Sequence, residues 1–152
     1  MLSRTHLTIT LFFVLSLFSI VEHKITFVLV ALIATYLPDL DSPRSKFGDK
    51  FILRPIQLFL KHRGVLHSFT FLSLITLFFV LFVPTFSLPF FLGYSLHILA
   101  DSFTVEGVYP FYPLKKISRG SVRTGGKRDT IVFVVFLILD LFLFSLLILS
   151  YI

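Results

Sequence analysis

Five apolar runs leave this chain few ways to fold: Leu7–Val21, Ile25–Leu37, Ser68–Val83, Leu88–Ala100 and Ile131–Ile152. Hydrophobic residues fill 56% of its 152 positions and charged residues 14%, against about 25% charged in ordinary soluble domains. A chain of this length has too little interior to hide that much apolar surface from water. One so apolar does not stay disordered either. The expected fold is all-α, a polytopic membrane helical bundle with about five transmembrane helices in a single domain over residues 1–152.

The last run alone reaches the roughly 20 residues needed to cross a ~30 Å hydrocarbon core. The other four have 13 to 16 residues. Such runs can still cross if flanking polar residues snorkel, or if neighbouring helices shield them. A His or Asp beside one end of each short run favours shielding. The first run follows Arg4 but leads into Val21-Glu22-His23-Lys24 rather than a small-residue cleavage site, so it is expected to be a retained helix.

The basic residues set the orientation. Arg4 precedes the first run. Arg44, Lys46, Lys50, Arg54, Lys61 and Arg63 fill the second connection, and Lys115, Lys116, Arg119, Arg123, Lys127 and Arg128 fill the fourth. Of the 14 Lys and Arg, Lys24 alone lies on the opposite side. The expectation is a multi-pass inner or plasma membrane protein with its N-terminus in the cytoplasm and its C-terminus outside. The net charge of +6 then follows from topology and favours anionic lipid headgroups, with no nucleic acid implied. Within the second connection, Lys50–Lys61 carries Ile56, Phe59 and Leu60 at helical spacing behind Pro55. It predicts a short interfacial helix between helices 2 and 3. Val105–Asp129 is turn-rich, basic and irregular.

Orientation places the ionisable residues by depth. His6 begins helix 1; Asp39 and Asp41 end helix 2; His62 and His67 lead into helix 3; His97 and Asp101 close helix 4, with Glu106 just beyond. All converge on the cytoplasmic face, while Glu22 and His23 fall outside. Four residues separate His97 from Asp101, so on a helix the two share a face. Asp39 and Asp41 precede Ser42-Pro43, and an extended backbone there would turn both carboxylates to one side. His62 and His67, five apart around Gly64, belong to a turn and a helix start. Imidazole and carboxylate without cysteine is the donor mix of hydrolytic zinc, manganese or iron sites, and seven such groups allow two ions. Gly93, one turn before His97, is expected to let helices pack closely. Asp140 lies about 13 Å into helix 5 by helix rise. An acid at that depth costs roughly 2.5–3.5 kcal/mol, so it should face protein and have a partner, in a structural role or at a homo-oligomer contact through helix 5.

Three segments carry a family resemblance. Leu37-Pro38-Asp39-Leu40-Asp41-Ser42-Pro43, His62-Arg63-Gly64-Val65-Leu66-His67-Ser68 and Gly93–Ser102 resemble, in order, the YdjM-like family of predicted inner-membrane metal-dependent hydrolases. Thr5-His6, Thr104, Gly107 and Pro110 fit the same pattern, so the resemblance runs over roughly residues 5 to 113. Two positions depart from it: Leu66 stands where Thr is common, and no Gly follows His6. Neither removes a ligand. The resemblance implies a metal hydrolase distantly akin to zinc-dependent phospholipase C and nuclease P1.

On that reading His6, Asp39, His67, His97 and Asp101 hold one to two divalent transition metal ions, zinc first, manganese or iron as alternatives. Asp41 or Glu106 acts as general base, and Arg63 with His62 grips phosphate or completes the coordination. The substrate is an anionic phosphoester on a lipid or lipid-linked molecule at the cytoplasmic surface. The alternative is a metal-ion transporter or a metal-binding membrane protein without hydrolase activity. Against it, the outer halves of the helices carry few polar groups to form a route.

Overall fold

The computed structural model describes residues 1–41 and 63–150, Asp41 by its backbone alone. Its elements are α1 (Ser3–Leu17), α2 (Lys24–Tyr36), a 310 helix (Pro38–Asp41), α3 (Phe69–Phe82), α4 (Pro84–Ser102) and α5 (Lys127–Leu149). Among the described residues there is no strand; two isolated backbone bridges, Thr104 with Val122 and Val108 with Ser118, order the connection before α5. The Lys50–Lys61 segment expected to be an interfacial helix lies outside the described residues.

Each apolar run became a helix, extended or trimmed by local capping chemistry. Ser68 caps α3 by accepting the Phe71 N–H at 3.2 Å, which starts the helix directly after His67. Pro84 opens α4, where its missing N–H costs nothing. That start adds a turn to the fourth run and brings α4 to 19 residues. α5, with 23 residues, is the one described helix long and apolar enough by itself to cross a membrane. The 13 residues of α2 span only about 20 Å.

The helices run alternately up and down. α1 and α5 are parallel, since Thr5 meets Asp129 and Phe12 meets Phe136. α2 and α4 are parallel too, since Gly93 abuts Ala31 and His97 meets Thr35. The starts of α1, α3 and α5 and the ends of α2 and α4 therefore share one end of the bundle. A Cβ on Gly93 would lie 2.0 Å from the Ala31 carbonyl oxygen. That close approach of α2 and α4 is possible only with glycine.

Burial is inverted relative to a water-soluble protein. The interior holds Thr5, His6, Thr10, Thr35, His67, His97, Asp101 and Asp129, beside a modest apolar core of Val14, Phe27, Leu72, Phe90, Tyr94 and Ile98. Outward lie Leu74, Leu77, Leu81, Ile138, Leu141, Phe142 and many others like them. So continuous an apolar exterior suits hydrocarbon surroundings rather than water.

Candidate metal centre

The shared end of the bundle gathers five of the seven expected ligand residues. His6 comes from the first turns of α1, Asp39 from the 310 helix after α2, His67 from just before α3, and His97 and Asp101 from the last turns of α4. Four of them are buried, and Asp39 is nearly so. Asp101 is the hub. Its Oδ1 lies 3.3 Å from His6 Nε2, and its Oδ2 lies 3.8 Å from His97 Nε2 and 3.9 Å from His67 Nε2. His97 Nε2 is in turn 3.8 Å from Asp39 Oδ1. Two overlapping donor sets result, His6–His97–Asp101 and Asp39–His67–His97, each with its ligand atoms within 4.8 Å of one another.

Backbone geometry fixes the orientation of the central ring. His97 Nδ1–H donates to the Thr35 carbonyl at 2.7 Å, which leaves the lone pair on Nε2, the nitrogen facing the carboxylates. The His6 ring stacks on that of His97 with centroids 3.9 Å apart. Among the described residues, His6 Nε2 and His97 Nε2 are buried and have no hydrogen-bond partner. Buried polar nitrogens are normally satisfied, so two orphans turned toward carboxylates fit a cation. The N-terminal ammonium of Met1 contacts Asp101 Oδ1. Burial raises the Asp39 carboxyl above the ordinary aspartate value; the His6 and His67 charges pull it back down, and the Asp101 charge adds to the rise.

Arg63 stands at the rim in the left-handed region, φ 63°. Its Nη2 lies 3.2 Å from both Asp101 Oδ2 and Glu106 Oε2, and its Nη1 donates to Thr104 Oγ1 and the Gly107 carbonyl. The Glu106 side chain is 58% exposed, is also held by Thr124, and stands outside the ligand groups. His62 and the Asp41 side chain lie outside the described residues. The backbone at Asp39–Asp41 is a 310 helix rather than extended, so the alternation expected to align two carboxylates there does not hold. Pro43 constrains only the residue before it, Ser42, and so leaves Asp39–Asp41 free to turn. Glu22 and His23 sit at the opposite end, in a separate crevice.

Two acids behave unlike their sequence context. Asp129, the lone acid among Arg123, Lys127 and Arg128, is fully buried. It accepts bonds from Thr5 Oγ1 at 2.7 Å, Leu2 N–H at 3.1 Å and Gly125 N–H at 2.8 Å. It thereby ties the start of α1, and so His6, to α5. Its position just past Gly125-Gly126, where a first-turn acid can accept loose N–H groups, is the signal that would have found it. Asp140 is 3% exposed, packed within the single chain, and among the described residues neither carboxyl oxygen has a hydrogen-bond partner.

Inner membrane protein YdjM of Escherichia coli (strain K12) is 37% identical over 94 residues, a match covering 56% of this chain and 48% of that protein. Inner membrane protein YdjM of Shigella flexneri matches to the same extent. The match thus spans about half the length of these curated relatives. No solved structure gives a significant match. The family described as YdjM inner membrane protein matches residues 1–151, and the chain belongs to that family.

Proposed function

We propose that this protein is a multi-pass inner-membrane, metal-dependent hydrolase acting on a phosphoester carried by a lipid or lipid-linked molecule at the cytoplasmic surface. One observation carries the reading: five ligand-type side chains from four separate segments meet in one buried cluster, with two buried imidazole nitrogens unsatisfied among the described residues. Structural metal clips are closed four-ligand sets, often with cysteine, and this chain has none. The up-and-down helix order supports five crossings, the short ones shielded where their polar ends meet. The thirteen clustered Lys and Arg then put the centre on the cytoplasmic side.

His6, Asp39, His67, His97 and Asp101 would hold one or two divalent ions, zinc first. Such an ion supplies Lewis acidity and water that ionises near neutral pH. Imidazole nitrogen has one in-plane lone pair, and His97 Nδ1–H is committed to Thr35, so His97 serves a single ion. Arg63 holds Asp101 in place. Its second carboxylate partner, the exposed Glu106, is the contact that a phosphoryl oxygen can replace. Glu106 so released, or Asp41, is then the base at the rim.

The test is hydrolysis by purified, metal-loaded protein against a panel of lipid phosphoesters, carboxylic esters and amides, with and without chelator. Chelator-sensitive phosphoester cleavage, abolished by Asp39→Asn, is expected. Cleavage of other esters alone would remove the phosphate assignment. No cleavage, with divalent metal crossing proteoliposomes, would replace the hydrolase with a transporter.

A further inference from the structure

Beside the metal centre, α1, α4 and α5 flank a half-open cavity of about 310 Å³. Ile9, Leu96, Ala100, Phe103, Val132 and Phe136 line it, and its surface is wholly apolar. The cavity and the ligand cluster use the same two helices. Ile9 stands one turn beyond His6, while Leu96 and Ala100 immediately precede His97 and Asp101. Met1 belongs to both, lining the cavity while its ammonium contacts Asp101. The lining includes Leu99 and Phe103, 45% and 62% exposed, so the cavity is open sideways toward the apolar surroundings of the bundle.

At about 310 Å³ this laterally open pocket falls at the small end of ligand sites, roughly 300–1,000 Å³. Apolar walls offer water no partners, so hydration does not account for it. A buried, charged ligand cluster beside an apolar, laterally open pocket is complementary to an amphiphile.

We infer that this cavity seats one hydrocarbon chain of the substrate, so that the molecule processed at the centre is an anionic amphiphile, its head at Arg63 and the ligand cluster and its tail between α1, α4 and α5. The head's chemistry rests on the hydrolase reading; the chain site does not. Selectivity would then come from the tail as well as the head, and substrate would enter from the bilayer.

The test uses the full chain in a sterol-based detergent, which has no flexible alkyl tail to compete. The probe is dodecylphosphonate with a diazirine at its terminal carbon; its C–P bond resists hydrolysis. Light-induced label is expected on peptides holding Ile9, Leu96–Phe103 and Val132–Phe136, displaced by unlabelled dodecylphosphonate. Val132→Trp should weaken binding about tenfold or more by filling the cavity, with metal content unchanged. Phe136→Ala should enlarge the cavity and shift the preferred chain length upward. Label spread over the exposed α3 residues Leu77 and Leu81, or binding indifferent to both substitutions, would overturn the chain site. A neutral dodecyl probe that labels the cavity as strongly as the phosphonate would support the chain site while removing the phosphoester reading.

Discussion

His97 and Thr35 are joined by a 2.7 Å hydrogen bond from the imidazole Nδ1–H to the backbone carbonyl, across the seam between α4 and α2. A backbone acceptor cannot be lost by mutation of its side chain, so the ring's tautomer depends on how closely the two helices approach. Gly93 sets that approach, one turn earlier on α4.

Gly93→Ala should therefore impair the metal centre without touching a ligand. Its methyl group would collide with the Ala31 carbonyl and push α2 away from α4. Overpacking of this kind costs about 1–3 kcal/mol. Metal affinity and thermal stability should fall together, as read by equilibrium metal titration and melting in detergent. Affinity equal to the wild type would mean that the seam does not govern His97.

Asp129→Ala should strip the start of α1 of its anchor. Three donors lose their acceptor; the Thr5 hydroxyl, the buried one of the three, is left unsatisfied at a cost of about 1–3 kcal/mol, while the N–H of exposed Gly125 can turn to water. Asp129→Asn keeps one carbonyl oxygen as acceptor and should recover part of the loss. Thr5→Val, which removes one of the three bonds, should fall between Asp129→Ala and the wild type in both stability and metal retention.

Asp39 gives a pH prediction whose sign follows from its raised carboxyl. A carboxyl with a higher pKa folded than unfolded favours the protonated form in the native state. Its stabilising contribution is complete below the unfolded value and is lost as pH rises through the folded one. Chelated wild-type protein should thus be less stable at pH 7 than chelated Asp39→Asn. Metal should reverse the order, because the ionised carboxylate is then paired. A difference on the order of 1 kcal/mol shifts Tm by about 2–4 °C in a chain of this size. Melting curves of both proteins, with and without zinc, check the crossover.

Much of this was legible in the sequence because hydropathy and ionisable residues carry strong, local signals. The order of the helices, the shared face of His97 and Asp101, and the packing role of Gly93 all follow from spacing within one element. What failed depended on tertiary or turn geometry. The 310 helix at Pro38–Asp41 replaced the extended segment, because hydrogen bonds back onto the end of α2, such as Leu40 N–H to the Leu37 carbonyl, outweigh local extended preference. Asp129 read as one more charge in a basic connection, since its donors come from residues far away in the chain. Helix lengths left the crossings open too: α2 has 13 residues, and only packing against α1 and α4 can shield its polar end.

Topology offers an independent check. A reporter inserted at Gly125-Gly126 should read as cytoplasmic, and one fused after residue 152 as external, with α5 crossing between them. Both reporters on one side would show that α5 does not span. The ligand assignment would survive, because the ligands come from α1, the 310 helix after α2, the residue before α3, and α4.

The most direct measurement is the metal content of the purified protein. Elemental analysis of the detergent-solubilised chain should find about one or two transition-metal ions per chain, zinc foremost. His97→Ala and Asp101→Ala should each lower that content sharply while the protein remains in the membrane fraction. Metal-free wild-type protein that takes up no zinc, manganese or iron on titration would contradict the centre, as would occupancy unchanged in both variants.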